Sequence, residues 1–230
     1  MEYATQIDPQ HRALLRCTSS MMCRQDLRSC AAVGCYVGIA TQDYDYLKVK
    51  MNVEVSAHSA TSTTLSVASG RLAFTFDLKG PALSIDTACS SSLVAAHLSF
   101  ISLMKGDVES TLTCGVNLIL IERNTIMFQR AGMLAPDGRC KTLDASADGY
   151  IRAEGCEIIL LAASSDDVMQ LNVALGGSAV NQDGRSSSLT APNGPTQHAV
   201  IKSALLDGRF SASDVTSLHL HGTGTSLGDP

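Results

Sequence analysis

The sequence predicts an α/β fold with helices packed on a sheet, and three observations lead there. Short apolar runs of four to ten residues alternate with stretches whose apolar residues recur at three- and four-residue steps. Several of the short runs are apolar on both faces, as strands covered on both sides are. At 230 residues the chain can bury one core on both sides of a sheet and is short for two domains. Helical and strand-like stretches that alternate in this way favour layers of helices on a sheet.

In chain order the expected strands are Cys35 to Ala40, Leu83 to Asp86, Leu112 to Ile121, Glu157 to Ala162, Asn172 to Ser178 and Ser217 to His221, mostly bounded by Gly, Asp or Ser. Helices are expected over Ser59 to Arg71, Ser90 to Lys105 and Gly194 to Leu206, with Ser213 as the N-cap of a short turn before the last strand. The helix from Ser90 carries Leu93, His97, Phe100, Ile101 and Met104 at helical steps, and Val94, Ala95, Ala96 and Leu98 leave it almost no polar face. A helix apolar all round is expected to be buried.

Composition excludes several classes. An apolar fraction of 45% with 17% charged residues is that of a globular chain rather than a disordered or collagen-like one. The net charge of −5, spread along the sequence, offers no basic stripe for nucleic acid. No apolar run reaches the length of a membrane span, and the start, MEYATQIDPQHR, is no export signal. The eight cysteines (Cys17, Cys23, Cys30, Cys35, Cys89, Cys114, Cys140 and Cys156) have irregular spacings and no C-x-x-C pair. Reduced thiols of a cytoplasmic protein are therefore expected, with no metal site.

Three local features can carry chemistry. A strand-like run ends just before Cys89, and a helix starts with the serines after it. Strand, tight turn and helix is a geometry that presents a nucleophile at a helix start, where unpaired backbone N–H groups and the helix dipole attract negative charge. The same N–H groups can hold an oxyanion formed on attack at a thioester. From the residues alone, Cys89 reads equally as such a nucleophile or as a small buried side chain. The second feature is HLHGTGTSLGDP, where His221 precedes two glycines and the hydroxyls of Thr223 and Thr225. His221 could donate a hydrogen bond or carry a proton there, or simply be a loop histidine satisfied by a carbonyl. The third is the loop from Gly176 to Gln197, which reads either as simple turns or, given its length, as a segment that shapes a binding channel.

Taken together, IDPQHR, GRLAFTFDLKGPALSIDTACSSSL, AGMLAPDGRCKTLDASADGYIRAEG, AVNQDGRSSSLTAPNGPTQ and HGTGTSLGDP resemble, in order and from end to end, the ketosynthase (β-ketoacyl synthase) family of condensing enzymes, and within it the type I modular polyketide synthases. The resemblance implies a thiolase-like fold of layered α-β-α-β-α, homodimeric when complete. It implies that Cys89 accepts an acyl chain, and that a malonyl-type extender on an acyl carrier protein then loses carbon dioxide and attacks it. His221 matches the family histidine that stabilises the thioester oxygen, and Thr223 and Thr225 match positions that bind the phosphopantetheine arm. No cofactor is expected beyond the phosphopantetheine that the carrier protein brings.

Departures from the family pattern are His219 for a usual Glu, Ser188 and Ala153 for usual glycines, and Glu157 for another. The family's second histidine and second oxyanion donor would fall after Pro230, and a further stretch would precede DPQHR. Residues 1–230 are thus expected to be a partial ketosynthase domain, lacking most of the second half of the fold and inactive in condensation alone. Alternatives are a fatty acid synthase type ketosynthase, a non-condensing carrier-binding relative and a cysteine hydrolase. Carrier-dependent condensation by the purified 230-residue chain would contradict the expectation of inactivity.

Overall fold

A computed structural model of the chain describes residues 6–23, 32–163, 173–225 and 228. Cys30, Asn172 and the end of the HGTGTSLGDP string (residues 226, 227, 229 and 230) lie outside them. Two compact units separate, Met1–Ile121 with Ala153–Asp167 and Glu122–Arg152 with Val168–Pro230.

The first unit holds a four-stranded sheet of β1 (Val33–Gly38), β2 (Ala82–Ile85), β3 (Ser110–Asn117) and β4 (Gly155–Ala162), in the order β2-β1-β3-β4. β1 is parallel to β2 and β3, and β4 is antiparallel to β3. Four expected strands are therefore present. β3 stops at Asn117 rather than Ile121 because side chains take the next amides: Gln10 Oε1 accepts from Leu118 N–H at 3.3 Å, Glu154 Oε1 from Ile119 N–H at 2.7 Å and Asp43 Oδ2 from Leu120 N–H at 3.1 Å. The expected strands over 172–178 and 217–221 do not form among the described residues. Apolar runs make strands only where a neighbour pairs with them, and in the second unit Ser178 N–H is instead held by the Asp207 carboxylate at 2.9 Å.

Helices are α1 (Pro9–Met22), α2 (Asp43–Lys50), α3 (Ser59–Ser62), α4 (Val67–Phe76), α5 (Ser91–Met104), α6 (Arg123–Arg130) and α7 (Gly194–Asp207). Periodicity does not announce α1, α2 or α6, although α1 opens with a readable signal: Asp8 accepts from Gln10 N–H at 2.7 Å and Pro9 takes the first position. The single helix expected over Ser59 to Arg71 is broken into α3 and α4. Hydroxyls in the ATSTT run turn back on the backbone, Thr64 Oγ1 donating to Ala60 O at 2.7 Å, which competes with helix continuation. The cap of the short turn Ala212–Asp214 is Ser211 rather than Ser213, with Asp214 reciprocating to Ser211 N–H.

The two faces of the sheet differ in chemistry. Val33, Cys35, Val37 and Ile39 with Leu112, Cys114 and Val116 build an apolar layer against Leu14 of α1 and Ala68 and Leu72 of α4. The opposite face meets α5 through small residues: Thr113 Oγ1 donates to Ser99 Oγ at 2.7 Å, and Ser91, Ala95, Ser99, Ser102 and Leu103 are the buried positions of that helix. The expectation of a helix buried all round is thus corrected. A single sheet covers one side of a helix, and Leu93 and Met104 on the outer side are 73% and 72% exposed.

Buried hydroxyls in this small-residue layer are not all satisfied: Thr111 Oγ1 and Ser102 Oγ lack hydrogen-bond partners. Size rather than polarity selects such residues, because an unmade buried hydrogen bond costs about 1–3 kcal/mol. Thr111→Val, which keeps the shape and deletes the orphan hydroxyl, is predicted to raise stability by about 1 kcal/mol in urea unfolding; a loss of stability would contradict it.

The DPQHR string buries two titratable groups in opposite senses. Burial, and then Arg71, lower the His11 imidazole from 6.5 to about 4; Arg71 Nε donates to its Nδ1 at 3.4 Å, and Nε2 has no partner. The His11 contribution to stability is therefore complete above about pH 6.5 and is lost as pH falls toward 4. Burial raises Asp8 from 3.8 to about 6, so its contribution is complete at low pH and is lost as pH rises from about 4 to 6. The two trends oppose each other in the native chain. Asp8→Asn, which retains the capping oxygen, is predicted to make stability climb more steeply with pH between 4 and 6 than in the parent, measured by urea midpoints across that range; an unchanged slope would refute the assignment.

Candidate active site

Cys89 sits in the first unit on a 3-10 turn, Ala88–Ser90, between the end of β2 and the first residue of α5. Its thiol is exposed, so the reading of Cys89 as a small buried side chain does not hold. The turn is unusual in its backbone. Ala88 has φ +55, a left-handed conformation that costs a residue with a Cβ roughly 1–2 kcal/mol. Local hydrogen bonds hold it there: Ala88 N–H donates to Asp86 Oδ1 at 3.0 Å, and Ser91 Oγ accepts from Thr87 N–H at 2.9 Å while donating to Ala88 O at 2.7 Å. Ser90 Oγ donates to Thr87 O at 3.0 Å. The serines after the cysteine therefore serve first as backbone ties, and Cys89 is raised on a strained turn one residue before the helix N-cap.

The helix start is set low on the sheet by two glycines. Gly38 of β1 and Gly115 of β3 are register partners on adjacent strands. A Cβ on Gly38 would stand 2.6 Å from Ser92 N and 2.7 Å from Ser91 C, and one on Gly115 would stand 3.0 Å from Ser92 Cβ. At Gly38 a Cβ would collide with the helix backbone, and at Gly115 the Ser92 side chain would have to give way, so bare positions on both strands let α5 approach closely. Sequence reasoning missed this pair, because their partnership appears only once the strand register is known.

His221, Thr223 and Thr225 lie in the second unit. His221 is exposed and Thr223 and Thr225 are half-buried. The threonine hydroxyls stand 3.1 Å apart in a mutual hydrogen bond. Gly222 and Gly224 both take left-handed φ values, +50 and +63, so the loop depends on glycine there. It is laid along the CKTLDASADG segment: Thr142 Oγ1 donates to Gly222 O at 2.6 Å and Gly149 N–H donates to Gly224 O at 2.8 Å. Lys141 braces that segment by pairing with Asp137 at 3.2 Å and Asp148 at 2.7 Å. Two strings far apart in sequence are thus one structural feature, which spacing alone could not reveal.

Among the described residues no group of three or more His, Cys, Asp or Glu side chains could hold a metal ion, and no helix is long and apolar enough to cross a membrane. Seven described cysteines are free.

The first unit is thus an α/β domain that raises a cysteine on a tight turn between a strand and a helix. Family models identify it further: β-ketoacyl synthase, N-terminal domain, matches residues 1–167, and β-ketoacyl synthase, C-terminal domain, matches 173–230. The chain belongs to the β-ketoacyl synthase family. It is 43% identical over 234 aligned residues, 99% of its length, to the spectinabilin polyketide synthase system protein NorA' of Streptomyces orinoci. It is 46% identical over 202 residues, 85% of its length, to a phenolphthiocerol/phthiocerol polyketide synthase protein of Mycobacterium tuberculosis. These alignments cover only 6% and 9% of the two relatives. Its fold superposes with TM-score 0.87 and 30% identity on the oxazolomycin ketosynthase domain OzmH KS7 of Streptomyces albus JA3453, covering 99% of this chain and 40% of that one. For the ketosynthase of module 6 of the bacillaene synthase of Bacillus subtilis 168 the values are 0.83 and 30%, covering 97% and 39%. The thiolase-like fold expected from the resemblance is thus borne out.

Thr142→Val removes the hydroxyl that holds Gly222 O. The predicted outcome is a loss of about 1 kcal/mol and faster amide exchange in the peptide spanning residues 219–225; unchanged exchange there would contradict the support role given to Thr142.

Proposed function

We propose that these residues act within a β-ketoacyl synthase of polyketide synthesis, with Cys89 as the acyl acceptor. The observation that carries the proposal is the exposed Cys89 thiol on the strained Ala88 turn at the head of α5. The matched relatives are polyketide synthase proteins, which favours this reading over a fatty acid synthase.

In the proposed reaction the Cys89 sulfur attacks the thioester carbonyl of an acyl chain carried on phosphopantetheine, and the carrier thiol leaves. Sulfur suits the role because it is nucleophilic near neutral pH and remains a good leaving group in the acyl-enzyme. A malonyl-type extender on an acyl carrier protein then loses carbon dioxide, and the electron pair of the broken C–C bond becomes an enolate. The enolate carbon attacks the acyl-cysteine, and Cys89 leaves as thiolate with the chain two backbone carbons longer. His221 would donate to the thioester oxygen as charge gathers there; one such donor typically contributes about 3 to 4 kcal/mol. Thr223 and Thr225 present paired hydroxyls suited to the amide and hydroxyl groups of the phosphopantetheine arm. No cofactor is assigned to the domain itself, and the proposed assembly is a homodimer served by the carrier protein in the cytoplasm.

Incubation of the chain with an acyl thioester, followed by intact-mass and peptide mass spectrometry, tests the nucleophile. A single acyl adduct on Cys89, lost in Cys89→Ala, is the expected result. Cys23 and Cys140 are also exposed, so acylation spread over them and undiminished in Cys89→Ala would refute the assignment.

A further inference from the structure

Besides Cys89, the first unit holds four cysteines whose side chains meet across one face of the sheet. Cys35 of β1, Cys114 of β3 and Cys156 of β4 point toward the layer that contains Leu14 of α1. Cys17 belongs to the same stripe of α1 as Leu14, Thr18 and Met21, at steps of three, four and seven residues. Its Sγ lies 4.0 Å from the backbone oxygen of Cys156. No three of these thiols come close enough to hold a metal ion, so the chemistry open to them is pairwise.

The two pairs differ in access. Cys35 and Cys114 are 0% and 1% exposed, and their mutual hydrogen bond and burial push the Cys114 thiol far up, so this pair is inert to reagents in solution. Cys17 and Cys156 are half-buried where α1 crosses the edge strand β4, within reach of solvent.

We propose that Cys17 and Cys156 are a thiol-modification site that forms a disulfide with a low-molecular-weight disulfide such as oxidised glutathione as the oxidant. In the first step the Cys17 thiolate attacks one sulfur of oxidised glutathione and expels one glutathione thiolate, leaving a mixed disulfide on Cys17. In the second, Cys156 gives its proton to water and its sulfur attacks the Cys17 sulfur, expelling the second glutathione thiolate. Two cysteine thiols are oxidised to one disulfide, and one oxidised glutathione is reduced to two thiols. Burial and the nearby Cys17 push the Cys156 thiol up to about 12, so the first attack is assigned to Cys17 and the attack by Cys156 is the slower step. The bond would staple α1 to β4 across 139 residues of chain, a segment that includes Cys89 and its helix. Closing so long a loop restricts the unfolded chain and raises resistance to unfolding.

The test is peptide mapping of the full chain after incubation with oxidised glutathione and quenching of free thiols. Trypsin leaves Cys17 and Cys23 on one peptide, so the mapping is made with Cys23→Ser. The expected product is a Cys17–Cys156 linked peptide that disappears on reduction and in Cys17→Ser and Cys156→Ser, accompanied by a higher urea midpoint in the oxidised protein. The exposed Cys89 and Cys140 report that the oxidant reached the protein. Glutathione on those two with Cys17 and Cys156 free, a mixed disulfide on Cys17 that never resolves, or a bond from Cys17 to Cys35 or Cys114 would each overturn the proposal.

Discussion

The approach of α5 to the sheet depends on the absence of two side chains. Gly38 and Gly115 lie side by side on parallel strands; the backbone of Ser91 and Ser92 settles against Gly38, and the Ser92 side chain against Gly115. Any Cβ at Gly38 would overlap main-chain atoms, which cannot rotate away as a side chain can. The rest of that face follows the same rule. Alanine, serine and threonine meet there, and the hydroxyls of Ser102 and Thr111 are left unpaired, so the close approach is maintained at some expense in hydrogen bonding. Because Cys89 is two residues before the helix, the height of α5 sets the height of Cys89.

The turn that carries Cys89 uses the helix as its anchor. Ser91 belongs to α5, yet its hydroxyl ties Thr87 N–H and Ala88 O, so the strained Ala88 conformation is held by a residue that the sheet itself holds. In the other unit the HGTGT loop obeys a related constraint: its left-handed glycines lie against Thr142 and Gly149, and the two threonine hydroxyls are aligned with each other as a consequence. In both places the string around the candidate residue is explained by backbone conformation and close approach, and the Cys89 and His221 side chains are left exposed.

Much of this is legible in the residues. The four paired strands show as apolar runs, α5 and α7 as periodic stretches, and Cys89 as a cysteine between a strand and a helix. What escapes has physical reasons. α1 and α2 carry buried polar groups, Gln10 and Asp43, that serve as clamps on the amides after β3, so their helical faces are not simply apolar. The expectation that α5 is buried all round fails because its outer side is as apolar as its inner one, and periodicity cannot say which side a single sheet covers. The runs at 172–178 and 217–221 have strand composition but no neighbour to pair with among the described residues. The Gly38–Gly115 pair and the contact of Thr142 with the HGTGT loop depend on register and tertiary proximity, which local patterns do not encode.

The central claim, that the glycine pair seats the Cys89 helix, is tested most directly by a double-mutant cycle in urea unfolding. Gly115→Ala meets only the Ser92 side chain, so its loss of stability should be largely recovered in Gly115→Ala/Ser92→Gly once the intrinsic cost of Ser92→Gly is subtracted. Gly38→Ala meets backbone, so it should cost about 1–3 kcal/mol or more and show no recovery with Ser92→Gly. Parent-like stability of Gly38→Ala, or equal recovery at both positions, would contradict the account.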